Sequence, residues 1–133
     1  MKPLALFATC ALALCLAFGC KSTHEEGVKS NVMTQWTTVN ADTMQTTEAA
    51  KAVLMDEGLK DVKASSTAMD GTASAKMADG TKIKVDISKD PKETFSKVSV
   101  NVGTMGSPTL GANIAKKIKM RAEGTMPSTS SSM

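Results

Sequence analysis

The sequence predicts an α+β domain, a two-layer sandwich in which an antiparallel sheet of four to five strands carries two helices on one face, in the order β-α-β-β-β-β-α. Three observations lead there. Between residues 73 and 102 apolar and polar residues alternate with period two, the pattern of a sheet covered on one side only. Two other segments, about 43–57 and 108–121, repeat their apolar residues at helical spacing instead. The stretch holding both patterns, residues 35–122, is near the small end for independent folding and supports a single core.

Gln35 to Val39 reads as a short strand. Asn40-Ala41-Asp42 offers a cap to a helix from about Thr43 to Glu57, with Met44, Thr47, Ala50, Val53 and Leu54 on one face. Gly58 ends it. Leu59 to Ser66 is a weaker strand with Val62 and Ala64 inward, and Asp70-Gly71 is expected to turn it. Ala73, Ala75 and Met77 then alternate with Ser74 and Lys76, and Asp79-Gly80 signals a hairpin. Ile83, Val85 and Ile87 alternate with Lys82, Lys84 and Asp86; after the break at Asp90-Pro91, Val98, Val100 and Val102 alternate with Lys97, Ser99 and Asn101. Ser107 and Pro108 open a last helix with Leu110, Ile114, Ala115 and Ile118 inward. Its end carries Lys116, Lys117, Lys119 and Arg121, where cations offset the helix dipole. Ten methionines, against Trp36 and Phe95 as the only aromatics beyond Cys20, imply a soft, small-residue core in which Met fills gaps.

The first nineteen residues read as a signal peptide. Lys2 precedes an uncharged run rich in Leu and Ala, and small residues stand at Ala17 and Gly19. The run is also near the lower limit for a membrane span, so an uncleaved anchor helix is the competing reading. Ala17-Phe18-Gly19-Cys20 resembles the lipobox of bacterial lipoproteins, although Leu16 is one place early and Phe18 is bulky for it. It would suit an ordinary secretory peptidase as well. Both routes cut after Gly19 and differ in whether Cys20 carries lipid. Cys10 and Cys15 leave with the run, so Cys20 is the one thiol left and no internal disulfide can form. The lipobox resemblance implies acylation of Cys20, and Lys21 in place of the Asp that retains lipoproteins at the inner membrane implies the outer membrane, facing the periplasm. Residues 20–34 then read as the lipidated Cys and a flexible tether, and residues 123–133 as a disordered tail.

A second resemblance covers about Trp36 to Arg121. Gly58-Leu59, the hairpin Asp79-Gly80-Thr81-Lys82-Ile83-Lys84-Val85, the stretch Val98 to Gly106 with Val102-Gly103-Thr104-Met105-Gly106, and the helix ending Ala115-Lys116-Lys117-Ile118 together resemble a family of small bacterial lipoproteins of unknown function. Met105 stands where that family has an aromatic, and its Gly- and Tyr-rich stretch after the Cys is absent. The resemblance implies fold and location and no activity.

Composition narrows the function. Sixteen basic and 13 acidic residues give +3, too little to argue for nucleic acid. The one His, His24, lies in the tether beside Glu25 and Glu26, where no further His or Cys completes a zinc site. Nucleophilic catalysis wants a base beside Ser, Thr or Cys, and the domain has no His to serve. The expectation is therefore a non-catalytic envelope protein without cofactor or metal. It would attach to the membrane through its lipid and meet an envelope protein or an anionic polymer. The alternative is a binding module for a small or anionic envelope ligand. Two contact sites are candidates: Lys76, Lys82, Lys84 and Lys97, projecting from the outward sheet face, and the loop Gly103, Thr104, Gly106 and Ser107, where amides at a helix N-terminus could meet an anion.

Overall fold

The computed structural model describes residues 27–31 and 33–124. Cys20, the signal segment 1–19 and the tail beyond Gly124 lie outside the described residues. Six strands and two helices follow in the order β1 (Val28–Ser30), β2 (Thr34–Val39), α1 (Thr43–Asp56), β3 (Lys60–Ser66), β4 (Asp70–Lys76), β5 (Lys82–Lys89), β6 (Ser96–Val102) and α2 (Pro108–Ala122). All strand pairs are antiparallel, in the spatial order β1-β2-β6-β5-β4-β3. Both helices pack on one face, α1 against β3, β4 and β5, and α2 against β1, β2 and β6. The α+β class and the expected order hold, with one strand more than the sequence suggested.

That strand corrects the tether. Val28 is 5 % exposed, and β1 pairs with β2 from Val28↔Thr37 to Ser30↔Gln35. The Thr37 hydroxyl donates to the Gly27 carbonyl at 2.8 Å, which fastens the start of the strand. Three residues carry too short an alternation to be recognised alone; β1 exists because β2 offers it an edge. At the other end Glu123, expected in the tail, accepts the Asn40 amide at 2.9 Å and so ties α2 to the start of α1.

The apolar stripes face the helices as expected. Ile83, Val85, Ile87, Val98, Val100 and Val102 are all at most 3 % exposed and meet Val53, Leu54, Ile114 and Ile118. The core is built of small and branched residues, as expected, but Met does not fill its gaps. Met33, Met44, Met55, Met69, Met105 and Met120 are exposed, and Met77 only flanks the core. Met44 leaves the predicted inward face of α1, which buries Thr43, Thr46, Thr47, Ala49, Ala50, Val53 and Leu54. Two glycines let the helices approach the sheet closely. A Cβ on Gly71 would lie 2.1 Å from Thr47 Oγ1, and one on Gly111 would lie 2.0 Å from Gln35 Oε1.

Gly71 also explains why Asp70-Gly71 is not a turn. Both residues lie in β4, where Gly71 clears a place for Thr47. The reversal falls at Thr67–Met69, whose chain the Thr67 hydroxyl holds by accepting the Asp70 amide at 3.1 Å. Two other landmarks agree with the sequence, whereas Ser107 stands at the N-cap of α2 without a side-chain capping bond. Asp42 caps α1 by accepting the Gln45 amide at 2.7 Å, and Gly80, with φ +88°, makes the β4–β5 turn. The acidic end of α1 meets the basic end of α2, with Glu57 paired to Lys117 and Asp56 to Arg121.

Candidate functional site

Among the described residues no element packs on the second face of the sheet, and strand register fixes its rows. Thr38, Lys97, Ser88 and Asp70 form the first; Lys29, Trp36, Ser99, Asp86, Thr72 and Ser65 the second; Thr34, Asn101, Lys84, Ser74 and Lys63 the third. In the fourth, Lys82 stands directly opposite Lys76.

Of the four lysines expected to share this face, Lys76, Lys82 and Lys84 come together, and Lys97 lies in the row at the opposite end. Lys63 joins the three around a shallow groove of about 310 Å³. It could have been found from the sequence, since it lies between the inward Val62 and Ala64. Facing lysines repel, and two carboxylates moderate the field. Asp61 meets Lys76 at 3.0 Å, and Asp86 meets Lys84 at 2.9 Å. Asp61 has φ +54° at the irregularity between Lys60 and Lys63, an extra residue in β3 that the sequence did not signal. The Lys76 ammonium, by hydrogen bond and by charge, holds the Asp61 carboxyl below the usual carboxylate range.

Lys97 has a different neighbour. Its Nζ lies 5.7 Å from the centroid of the Trp36 ring. Trp36 and Lys97 line a cavity of about 230 Å³ with Phe95, Lys29, Asp90 and Gly27. Nothing in the sequence joins these residues, because the cavity needs β1, β2 and β6 to be neighbours.

The loop Gly103, Thr104, Gly106 and Ser107 lines a third cavity, about 370 Å³, with Met77, Asp79 and Leu110. Gly103 and Gly106 have φ of +64° and +75°, values that glycine adopts without strain. The Gly103 amide already donates to the Lys82 carbonyl at 2.7 Å, and the Ser107 side chain makes no capping bond. Hydrogen bonds from the Thr81 amide and hydroxyl keep Asp79 below the usual carboxylate range, so the cavity already holds a negative charge. The loop has the geometry of a strand-to-helix turn, and the Asp79 carboxylate lines the same cavity.

Among the described residues, no group of three or more His, Cys, Asp or Glu is placed to hold a metal ion, and no helix is long and apolar enough to cross a membrane. The fold and these surfaces define a small α+β domain with one sheet face sealed by helices and the other open, polar and rich in lysine. The chain belongs to the family described as protein of unknown function DUF3568, whose model matches residues 3–121. No curated protein matches it.

Proposed function

We propose that the protein is a non-catalytic lipoprotein of the bacterial cell envelope. Acylated Cys20 holds it in the outer membrane, facing the periplasm, and the domain acts there by contact through its open sheet face. The observation that carries this reading is the division of labour between the two faces. One is closed by α1 and α2, and the other offers Trp36 and the lysines of β3 to β6 to whatever lies beside it. Support for the anchor comes from the apolar run ending in Ala17-Phe18-Gly19-Cys20 and from a family match that begins at residue 3, within that run.

Mass spectrometry of the protein from membranes tests the anchor. The expected N-terminus is acylated Cys20, with Gly19 and everything before it removed, and Cys20→Ser loses the lipid and leaves the membrane fraction. A Cys20→Ser variant that stays membrane-bound as before makes the uncleaved run the anchor.

One observation favours a second reading, a module that binds an anionic envelope polymer. Lys76 faces Lys82 with Lys63 and Lys84 beside them, a concentration of cations that Asp61 and Asp86 offset only in part and that suits an anionic partner. Lys76→Glu, Lys82→Glu and Lys84→Glu combined should abolish salt-sensitive binding to isolated envelope and leave the melting temperature within a few degrees. Equal binding by parent and variant makes these lysines a solvated surface.

A further inference from the structure

Trp36 and Phe95, the two aromatic side chains of the domain, both lie outside its core. Aromatic residues carry the largest apolar area of any side chain and ordinarily serve the interior. Here Val, Ile, Leu and Ala fill the interior, and both aromatics open onto one cavity of about 230 Å³ at the surface. Cations surround it. Lys97 lies 5.7 Å from the centroid of the indole, and Lys29 is the cross-strand partner of Trp36. Lys29 and Lys97 both line the cavity. Asp90 lines the cavity too, and its Oδ1 accepts the Lys92 amide at 2.9 Å within its own turn.

The position of the cavity says what it meets. Gly27 is part of its wall, and the chain toward Cys20 leaves from Gly27. Gly27 is seven residues on from Cys20, which even fully extended span at most about 25 Å. A tether continuing to residue 34 would have doubled that reach and let any side of the domain turn to the membrane. Because β1 is paired, the edge carrying Trp36, Phe95, Lys29 and Lys97 is the part of the domain held nearest the anchor. Indole rings favour the boundary between headgroups and acyl chains, and lysines are drawn to anionic leaflets.

We propose that the Trp36–Phe95 cavity, with Lys29 and Lys97, docks the domain onto the anionic headgroup layer of the membrane that anchors it. This rests on the lipid-anchor reading above. Trp36 is the only Trp in the chain, so tryptophan emission reports on the cavity alone. The protein purified from membranes is reconstituted into phosphatidylcholine vesicles with and without phosphatidylglycerol, each with a fraction of brominated lipid. With phosphatidylglycerol present, brominated lipid should quench Trp36, and aqueous acrylamide should lose access to it. High salt, or Lys29→Glu with Lys97→Glu, should remove most of that quenching while the protein still floats with the vesicles. Flotation with Trp36 fully open to acrylamide and untouched by brominated lipid overturns the docking and leaves the anchor standing. Unmodified Cys20 in the same preparation is the separate failure of the anchor. Quenching that still follows phosphatidylglycerol and the two lysines then supports the docking, and its absence overturns it. Shielding of Trp36 by a soluble anionic polysaccharide but not by anionic vesicles assigns the cavity to a glycan and overturns the proposal.

Discussion

A Val85→Asp variant should fail to fold, and Lys84→Asp, one residue away, should melt close to the parent. Val85 is 0 % exposed, between Ala73 of β4 and Val100 of β6 in the middle of the sheet. Losing its burial costs about 1.5–3 kcal/mol. A carboxylate placed there without a partner adds several kcal/mol more, or takes up a proton at comparable cost. Together these approach the roughly 5–15 kcal/mol that holds an ordinary domain folded. Lys84 is exposed and loses only its contact with Asp86, a surface pair of the kind that contributes about 0.2–1 kcal/mol. Thermal melts followed by circular dichroism make the comparison. A Lys84→Asp variant that melts well below Val85→Asp would mean that β5 is turned over by one residue, since a slip of one exchanges the two faces of a strand, and equal melting temperatures would contradict the one-sided burial of β5.

Gly111→Ala should destabilise the domain even though it improves the helix. Alanine gains about 1 kcal/mol over glycine inside a helix. Its methyl would lie 2.0 Å from Gln35 Oε1 and 2.9 Å from Gln35 Cδ. Gln35 cannot swing away into solvent. It is 0 % exposed, its strand is paired to Ser30 on one side and Val100 on the other, and its amide nitrogen donates to the Asn31 carbonyl at 3.2 Å. The overpacking should outweigh the helix gain, for a net loss of about 1–3 kcal/mol. Gln35→Ala opens the space, and it also removes Oε1, a buried oxygen without a hydrogen-bond partner in the structure. The Gly111→Ala/Gln35→Ala pair should therefore be more stable than Gly111→Ala alone, and urea unfolding of the four proteins gives the coupling directly. Simple addition of the two single effects would mean that α2 stands further from β2 than the structure has it.

The parts of the fold that could be read from the sequence are those where one residue's neighbours along the chain decide its surroundings. Ile83, Val85 and Ile87 alternate cleanly because helices cover one side of β5 and none covers the other, and Asp79-Gly80 marks its turn by local backbone chemistry. The misreadings came where a distant partner decides. Gly71 looks like a turn residue after Asp70 and is in fact a notch for Thr47 of α1. Met44 has the spacing of an inward residue and lies on the shoulder of its helix, 60 % exposed, because the thin core is made by shorter side chains. The candidate site divides in the same way. Lys76, Lys82 and Lys84 belong to one hairpin and could be grouped from their alternation, whereas Lys97 required the strand order. Once β6 lies between β2 and β5, Lys97 falls beside Trp36 and away from the other three.

The order of the strands also sets a timetable for folding. Val39 pairs with Ser96 and Thr34 with Asn101, so β2 has no inner neighbour until α1, β3, β4 and β5 have followed it, and its pairing is complete only with nearly all of β6. α2, which packs over β1, β2 and β6, comes later still. Closing so long a loop costs entropy before any contact rewards it, and sheets joined by such distant pairings form slowly. The β3–β6 meander can begin on its own, but the sheet cannot be completed while the end of the chain is missing. A polypeptide built this way leaves its first strands waiting longest for their partners, so the N-terminal edge of the sheet is the last part of the domain to be secured.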